Sequence, residues 1–201
     1  MLTKIYLIRH GVTAWNRQKK YCGCRDVPLS PEGRKQARML GLRLKALSFD
    51  VIYSSDRKRA LATAAIVFGR VKITRDKGLR EINFGVFEGL SHKQILQRYP
   101  QVYSGWLKDP FSHDIPRGER LIDFGSRVRK ALRGIVKKNK GKCIAVVCHG
   151  GAISMVVSGL LKKKNFWKYV PDSTSVTILQ YSGNKASLEL FNCTRHLKLS
   201  P

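Results

Sequence analysis

Residues 1–16 read MLTKIYLIRHGVTAWN, in which a short apolar run ends abruptly in an Arg-His-Gly sequence at 9–11. A second apolar run ends in a similar way further along the chain, where residues 144–151 read IAVVCHGG. Consecutive apolar residues, rather than alternating ones, are typical of strands buried on both faces of a parallel sheet. We therefore predict two buried strands whose ends, at His10 and His149, form the two halves of one active site.

Strands and helices alternate along most of the chain. Buried strands are predicted at 4–9, 50–54 and 142–148, a weaker strand at 71–75, and a terminal hairpin from 175–181 and 187–193 with Gly183 and Asn184 in its turn. Helices are predicted at 29–47, between Ser55 and Gly69, at 122–138, and just after His149. In the first of them, Ser30 is the expected N-cap and Leu47 is expected on the buried face. This order predicts an α/β fold of three α/β/α layers, in which helices cover both faces of a mostly parallel central sheet.

We predict a single domain over residues 1–201, with a partly helical cap inserted at about 82–118. The insertion is rich in aromatic residues, namely Phe84, Phe87, Tyr99, Tyr103, Trp106 and Phe111. Most buried aromatic rings pack against other side chains, so these rings are expected to form the core of the cap rather than to bind substrate.

The chain is strongly basic, with 39 Lys and Arg residues against 13 Asp and Glu, a net charge of +26. Such a surface attracts either small anionic substrates or a polyanion such as nucleic acid. Basic runs such as 127–133 and 137–142 are typical of solvated helix faces. Because no nucleic-acid motif accompanies them, a small anionic substrate is the first expectation and nucleic-acid binding the second.

Neither a membrane partner nor a metal is expected from the sequence. Its apolar runs are too short to span a bilayer, and the first strand begins at Lys4 without room for a secretory signal, which predicts a cytoplasmic protein. The chain has an odd number of cysteines, whose spacing fits no zinc ribbon and favours reduced thiols: Cys22, Cys24, Cys143, Cys148 and Cys193. A homodimer is left open.

The predicted strand ends carry residues that suit a phosphate group. Ligands of parallel sheets bind beyond the carboxyl ends of the strands, where His10, His149 and the segment SSDRKRALATA at 54–64 are all expected. Each lies close to a predicted helix start, whose free backbone N–H groups favour an anion. Arginine also suits phosphate, because its guanidinium group stays charged and donates in a planar fork.

These residue types also suit phosphoryl transfer. An imidazole held among fixed positive charges can attack phosphorus directly, while arginines stabilise the charge on the transferring group. A carboxylic acid must then protonate the leaving oxygen. The acids in the right region are Glu81 and Glu88, of which we expect Glu88 to be structural or secondary. His92, His113 and His196 have no sequence context that distinguishes them from surface residues.

Five segments, taken in order, resemble the signature of the histidine phosphatase superfamily, the phosphoglycerate-mutase-like phosphatases. They read LIRHGVTAWN, DVPLSPEGRKQA, YSSDRKRALATA, LREINFGVFEG and VVCHGGAI, and the match runs from about residue 4 to residue 160. One Arg-His-Gly sequence would be weak evidence, whereas five motifs in the same order are specific.

The resemblance implies that His10 is the nucleophile that becomes phosphohistidine, and that Glu81 acts first as an acid and then as the base that activates water. It also implies a phosphate pocket that contains Arg9, Asn16, Arg59, His149 and Gly150. The family needs neither a metal nor another cofactor.

Within the superfamily, the segments YCGCRDVPLS, EINFGVFEGLS, WLKDP and IPRGER most resemble the α-ribazole phosphatases, which remove the 5′-phosphate of a nucleotide during cobalamin biosynthesis. This implies an apolar wall for the aromatic base, for which the cap offers Phe84, Phe87, Tyr103 and Trp106. A broad-specificity phosphatase and a phosphoglycerate mutase of the same superfamily stay open, because a few cap residues set the specificity of the pocket.

Overall fold

The computed structural model describes residues 1–163, 165–183 and 185–198. Its strands are β1 (Leu2–Arg9), β2 (Val51–Ser54), β3 (Ile73–Arg75), β4 (Cys143–Cys148), β5 (Val176–Ser182) and β6 (Lys185–Cys193). Its α-helices are α1 (Ala14–Arg17), α2 (Pro31–Leu44), α3 (Lys58–Phe68), α4 (His92–Arg98), α5 (Pro100–Lys108), α6 (Leu121–Lys138) and α7 (Gly150–Leu160). None of these helices is both long and apolar enough to cross a membrane.

All six strands form one sheet in the order β3-β2-β4-β1-β5-β6. The first four strands in this order run parallel, whereas β5 and β6 pair antiparallel with their neighbours. The predicted terminal hairpin is therefore confirmed, although Asn184 of its turn lies outside the described residues. Most importantly, Arg9 lies opposite Cys148, so β1 and β4 end side by side.

Side chains of β1 alternate between two cores, because successive residues of a strand point to opposite faces. Tyr6 and Ile8 pack in a core that α2 and α3 close on one face. Ile5 and Leu7 pack in a core that α6 and α7 close on the other face. The three-layer α/β/α fold with a mostly parallel sheet is confirmed.

Helix α2 begins as its sequence predicts but ends earlier. The Oγ of Ser30 accepts a hydrogen bond from the backbone N–H of Gly33, and Pro31 occupies the first turn. The helix ends at Leu44, however, and the side chain of Leu47 is 43% exposed. The prediction that Leu47 lies on the buried face is wrong, because the chain must leave the helix there to reach β2.

The segment 82–118 holds α4 and α5 and a small core of its own. Its buried members are Phe87, Ile95, Tyr103, Trp106 and Ile115. The ring of Trp106 also packs edge-on against Trp167, with 4.7 Å between ring centroids, which joins this core to the rest of the chain. For Phe87, Tyr103 and Trp106, the prediction that the aromatic rings form a core is confirmed, whereas Phe111 is exposed.

The prediction that His196 is an ordinary surface residue is wrong, because its side chain is buried. Its side chain is 2% exposed and lies within hydrogen-bond distance of Thr174 Oγ1 (3.2 Å) and Arg43 Nη1 (3.3 Å). Burial, assisted by Arg43, lowers the pKa of His196 to about 4, so the ring is neutral near pH 7. The short 3-10 turn Arg195–Leu197 packs on α2, a contact between distant segments that no local pattern shows.

Candidate active site

The site lies where β2, β4 and β1 end side by side. Ser55 follows β2, His149 follows β4, and His10 follows β1, so their side chains meet at one edge of the sheet. The imidazole rings of His10 and His149 pack edge to face, with 5.1 Å between their centroids. The structure therefore brings together the two His-Gly segments, as their positions at strand ends predict.

Hydrogen bonds fix the tautomer of His10. Its Nδ1 lies 2.8 Å from the carbonyl oxygen of Gly11, which can only accept, so the ring proton is on Nδ1. Nε2 then carries the lone pair, and it accepts a hydrogen bond of 3.3 Å from Arg59 Nε. Burial, together with the charges of Arg59 and Arg9, lowers the pKa of His10 well below its usual range. The ring is therefore a neutral imidazole whose Nε2 lone pair lies among cations.

Arg59 is a buried cation held by backbone carbonyl groups. Its side chain is 0% exposed, although it lies in the first turn of α3. Nη1 donates to Arg25 O (2.8 Å), and Nη2 donates to Gly23 O (2.8 Å) and Cys22 O (3.3 Å). Carbonyl oxygens carry no net charge, so the positive charge of Arg59 is left to act on an incoming anion.

Glu88 holds the loop that surrounds Arg59. Its Oε1 accepts hydrogen bonds from the backbone N–H groups of Gly23 (2.9 Å), Cys24 (2.8 Å) and Phe84 (3.2 Å). The Glu88 carboxylate therefore joins the backbone of Gly23 and Cys24 to that of Phe84, which is the structural contact expected for Glu88.

Arg9 approaches the site from the end of β1. Its Nη1 donates to the carbonyl of Pro171, while its Nε is buried and, among the described residues, has no hydrogen-bond partner. Burial lowers the pKa of Arg9, although the nearby Glu81 opposes this. A Cβ atom on Gly150 would lie 3.1 Å from Val170 Cγ1 and 3.2 Å from Arg9 Cζ, which is closer than most Cβ contacts, so glycine helps the start of α7 to approach the guanidinium group.

His149 caps α7 without a side-chain hydrogen bond to the helix. Its Nε2 lies 2.9 Å from Ser55 Oγ, and its Nδ1 is buried without a partner in the described part of the chain. Burial, with the charges of Arg59 and other cations, lowers the pKa of His149 well below its usual range. The ring therefore contributes hydrogen-bonding capacity to the site rather than a fixed charge.

Glu81 is held beside this cluster by backbone N–H groups. Its Oε2 accepts from Gly151 N (2.8 Å) and its Oε1 from Ile82 N (3.1 Å). Burial raises the pKa of Glu81 and outweighs these hydrogen bonds and the charges of Arg59 and Arg9. A carboxyl group whose pKa is raised can hold a proton and release it to a leaving oxygen.

Gly151 sets the position of Glu81, which gives a first test. A Cβ atom on Gly151 would lie only 2.3 Å from Glu81 Oε1, so the variant Gly151→Ala should displace the carboxyl group. We expect kcat/KM for an alkyl phosphate to fall by about 10²-fold, the lower range for loss of a general acid. Gly159→Ala on the same helix is the control, because nothing lies within 4 Å of its Cβ position. Equal activity of the two variants would contradict this role of Gly151.

Asn16 has a structural role that its motif does not show. Its Oδ1 accepts from Thr13 N (3.0 Å), while its backbone N–H donates to Thr13 Oγ1 (3.2 Å), and these two hydrogen bonds form the capping box of α1. Asn16 also lines the cavity above His10, where its side-chain NH₂ group remains to donate. Its contact with phosphate stays a prediction.

A cavity of about 330 Å³ opens above His10. It brings together Arg9, His10, Asn16, Glu81 and Gly150 of the predicted site, with Lys19, Lys20, Tyr21, Cys22, Phe84, His92, Tyr103, Gly151, Phe166, Trp167 and Val170. Arg59 and His149 lie behind it, in contact with the ring of His10. Within the described ranges, no three His, Cys, Asp or Glu side chains are grouped so that they could hold a metal ion.

The wall of this cavity differs from the expected one. Phe84 and Tyr103 line it, but Phe87 and Trp106 do not, because both are buried in the core of the segment 82–118. The prediction that those two rings form the wall is wrong. Trp167 takes their place, from a 3-10 turn after α7 that the sequence did not mark. His92, expected at an ordinary surface position, is exposed but also lines the cavity.

The chain matches the model of the histidine phosphatase superfamily (branch 1) over residues 5–194. It is 33% identical to the phosphoglycerate mutase-like protein 4 of Arabidopsis thaliana, over 97% of this chain and 87% of that protein. The structure resembles a mutant phosphoserine phosphatase of Entamoeba histolytica in complex with phosphoserine (TM-score 0.88, 31% identity, 97% of this chain and 99% of the other). It also resembles the α-ribazole phosphatase of Shigella flexneri (TM-score 0.86, 28% identity, 95% and 96%).

Proposed function

Since the chain belongs to the histidine phosphatase superfamily and is a phosphatase, we propose that it hydrolyses a small phosphate monoester through a phosphohistidine at His10. The observation that carries this proposal is the state of His10. A hydrogen bond to Gly11 O leaves the lone pair on Nε2, and that atom lies beside the buried cation Arg59 in a ring that lines the cavity. A neutral nucleophile beside buried arginines suits attack on a phosphate dianion.

In the first step, the lone pair of His10 Nε2 forms a bond to phosphorus, and the bond from phosphorus to the ester oxygen breaks. Glu81 gives its proton to that oxygen, so the alcohol leaves neutral. The Nε–H of Arg59, which now donates to His10 Nε2, must turn to a phosphate oxygen once the lone pair is used. Arg9, whose Nε lacks a partner among the described residues, and the N-terminus of α7 at Gly150 would hold the other oxygens.

In the second step, water replaces the alcohol. The carboxylate of Glu81 takes a proton from water while the water oxygen bonds to phosphorus, and the bond from phosphorus to Nε2 breaks. The electron pair returns to His10, and inorganic phosphate leaves. Glu81 gives a proton to the ester oxygen in the first step and regains one from water in the second, so the two steps balance.

For the substrate, we propose α-ribazole 5′-phosphate, the ester cleaved in cobalamin biosynthesis. Support comes from the shape of the cavity, where Phe84 and Trp167 offer apolar surface for an aromatic base. The resemblance to the Shigella flexneri protein of that name agrees with this choice.

A second substrate, phosphoserine, is favoured by a different observation. Lys19 and Lys20 lie at the same cavity, and their ammonium groups would suit the carboxylate of an amino acid. Lys19 also has a left-handed backbone (φ 52°), which is uncommon for a residue other than glycine.

A panel of phosphate monoesters decides between these substrates. We expect kcat/KM for phosphate release to be at least about 10²-fold higher with α-ribazole 5′-phosphate than with 3-phosphoglycerate, which has no aromatic group to fill the cavity. A preference for phosphoserine would select the second candidate, and similar rates on all esters would indicate a broad-specificity phosphatase. Transfer of phosphate between the hydroxyls of phosphoglycerate, without release, would contradict the hydrolase proposal.

A further inference from the structure

Three side chains of the cavity wall form a hydrogen-bonded chain that the proposed chemistry does not use. The hydroxyl of Tyr103 lies 2.8 Å from the hydroxyl of Tyr21 and 2.8 Å from Nδ1 of His92. All three residues line the cavity that holds His10. Tyr103 itself is 1% exposed, so its hydroxyl is the buried centre of the chain, and Tyr21 and His92 are its two ends.

Backbone hydrogen bonds fix the two ends of this chain relative to each other. Tyr21 N donates to Leu90 O (3.0 Å), and Gly89 N donates to Tyr21 O (2.9 Å). Lys20 and Ser91 form a β-bridge immediately before His92. The two polar ends are therefore set at fixed positions on the wall, which is the condition for selecting a ligand by its hydrogen bonds.

Counting protons shows what the two ends offer. The Tyr103 hydroxyl has one proton, so it donates either to His92 Nδ1 or to Tyr21. In the first case, Tyr21 donates to Tyr103 and presents a lone pair to the cavity, while the neutral ring of His92 presents Nε2–H. In the second case, His92 donates from Nδ1 and presents the Nε2 lone pair, while Tyr21 presents its proton. With a neutral imidazole, the chain always presents one donor and one acceptor.

We infer that Tyr21 and His92, positioned by Tyr103, form a subsite for neighbouring hydroxyl groups on the alcohol part of the substrate, as in the ribose of a pentose 5-phosphate. A hydroxyl group both donates and accepts, so a vicinal diol satisfies either arrangement of the chain. A carboxylate only accepts, and it would leave the acceptor end of a neutral chain unpaired. This inference rests on the proposed function, because the phosphate at His10 anchors the ligand in the cavity.

The test compares ribose 5-phosphate with 2-deoxyribose 5-phosphate, which differ by one hydroxyl. At about pH 8, kcat/KM of the wild-type protein should be about 10-fold higher for ribose 5-phosphate. A ratio near 1 would overturn the hydroxyl subsite. If the protein releases no phosphate even from p-nitrophenyl phosphate, the proposed function fails instead, so the two failures are distinguishable.

Two variants test whether the hydrogen bonds among Tyr21, Tyr103 and His92 cause the preference for ribose 5-phosphate. His92→Phe and Tyr103→Phe should both bring the ratio to within about two-fold of 1, because each removes a hydrogen-bonding group and keeps a ring. Loss of folded protein lowers the rates with both substrates equally and leaves their ratio unchanged. Because His92 is exposed, the variant His92→Phe tests the inference even if Tyr103→Phe does not fold. Tyr99→Phe is the matched control, since its ring packs on Phe87 and its hydroxyl lies outside the chain; it should keep the wild-type ratio. If His92→Phe and Tyr103→Phe also keep the wild-type ratio, the inference is overturned.

Discussion

The variant His10→Ala should lose at least about 10⁴-fold in kcat/KM with every phosphate monoester, because it removes the atom placed to attack phosphorus. The effect should not depend on the leaving group, since every ester needs the same nucleophile. The measurement is steady-state phosphate release, with inorganic phosphate binding and thermal unfolding measured on the same sample.

His113→Ala is the control for this variant, because His113 is exposed and does not line the cavity. It should keep wild-type turnover. Loss of turnover in a folded His10→Ala protein that still binds phosphate would support the nucleophilic role. Near-normal turnover of that variant would show that another group attacks phosphorus.

The variant Glu81→Gln should separate substrates by their leaving groups. An alkoxide needs a proton to leave, whereas p-nitrophenolate does not. We expect kcat/KM to fall by about 10²- to 10⁴-fold with an alkyl phosphate, and by less than about 10-fold with p-nitrophenyl phosphate. The raised pKa of Glu81 is the structural reason, because burial favours the protonated form that a general acid must have.

The same variant should slow the second step for every substrate, because glutamine cannot take a proton from water. With p-nitrophenyl phosphate, a burst of about one p-nitrophenol per protein molecule should precede a slow steady state. Equal losses of kcat/KM on both substrates, without a burst, would reject Glu81 as the acid and base.

The sequence predicts those parts of the site that local patterns encode. His149 comes directly after an unbroken apolar run, and Arg9 and His10 end another. Buried parallel strands bring the residues at their carboxyl ends to one edge of the sheet. The Ser30 cap of α2 is predictable for the same reason, because the signal and its effect lie within a few residues.

Other parts of the site depend on contacts between distant segments. The carbonyl groups that hold Arg59 come from a loop about 35 residues earlier. Every residue type has a backbone carbonyl group, so the sequence carries no signal for these contacts. His92 and Tyr21 meet only through Tyr103, and Trp167 reaches the cavity from a turn without a motif. Such contacts are fixed by tertiary packing, and no spacing rule reports them.

The most direct test of a covalent phosphohistidine is to isolate it. Glu81→Gln should be mixed with ³²P-labelled p-nitrophenyl phosphate, quenched in alkali within the burst, digested and mapped, because phosphohistidine is destroyed by acid. The account predicts close to one label per protein molecule, on the peptide that contains His10 and bound to its Nε2. A burst of p-nitrophenol with no label on the protein, or a label on another residue, would contradict it.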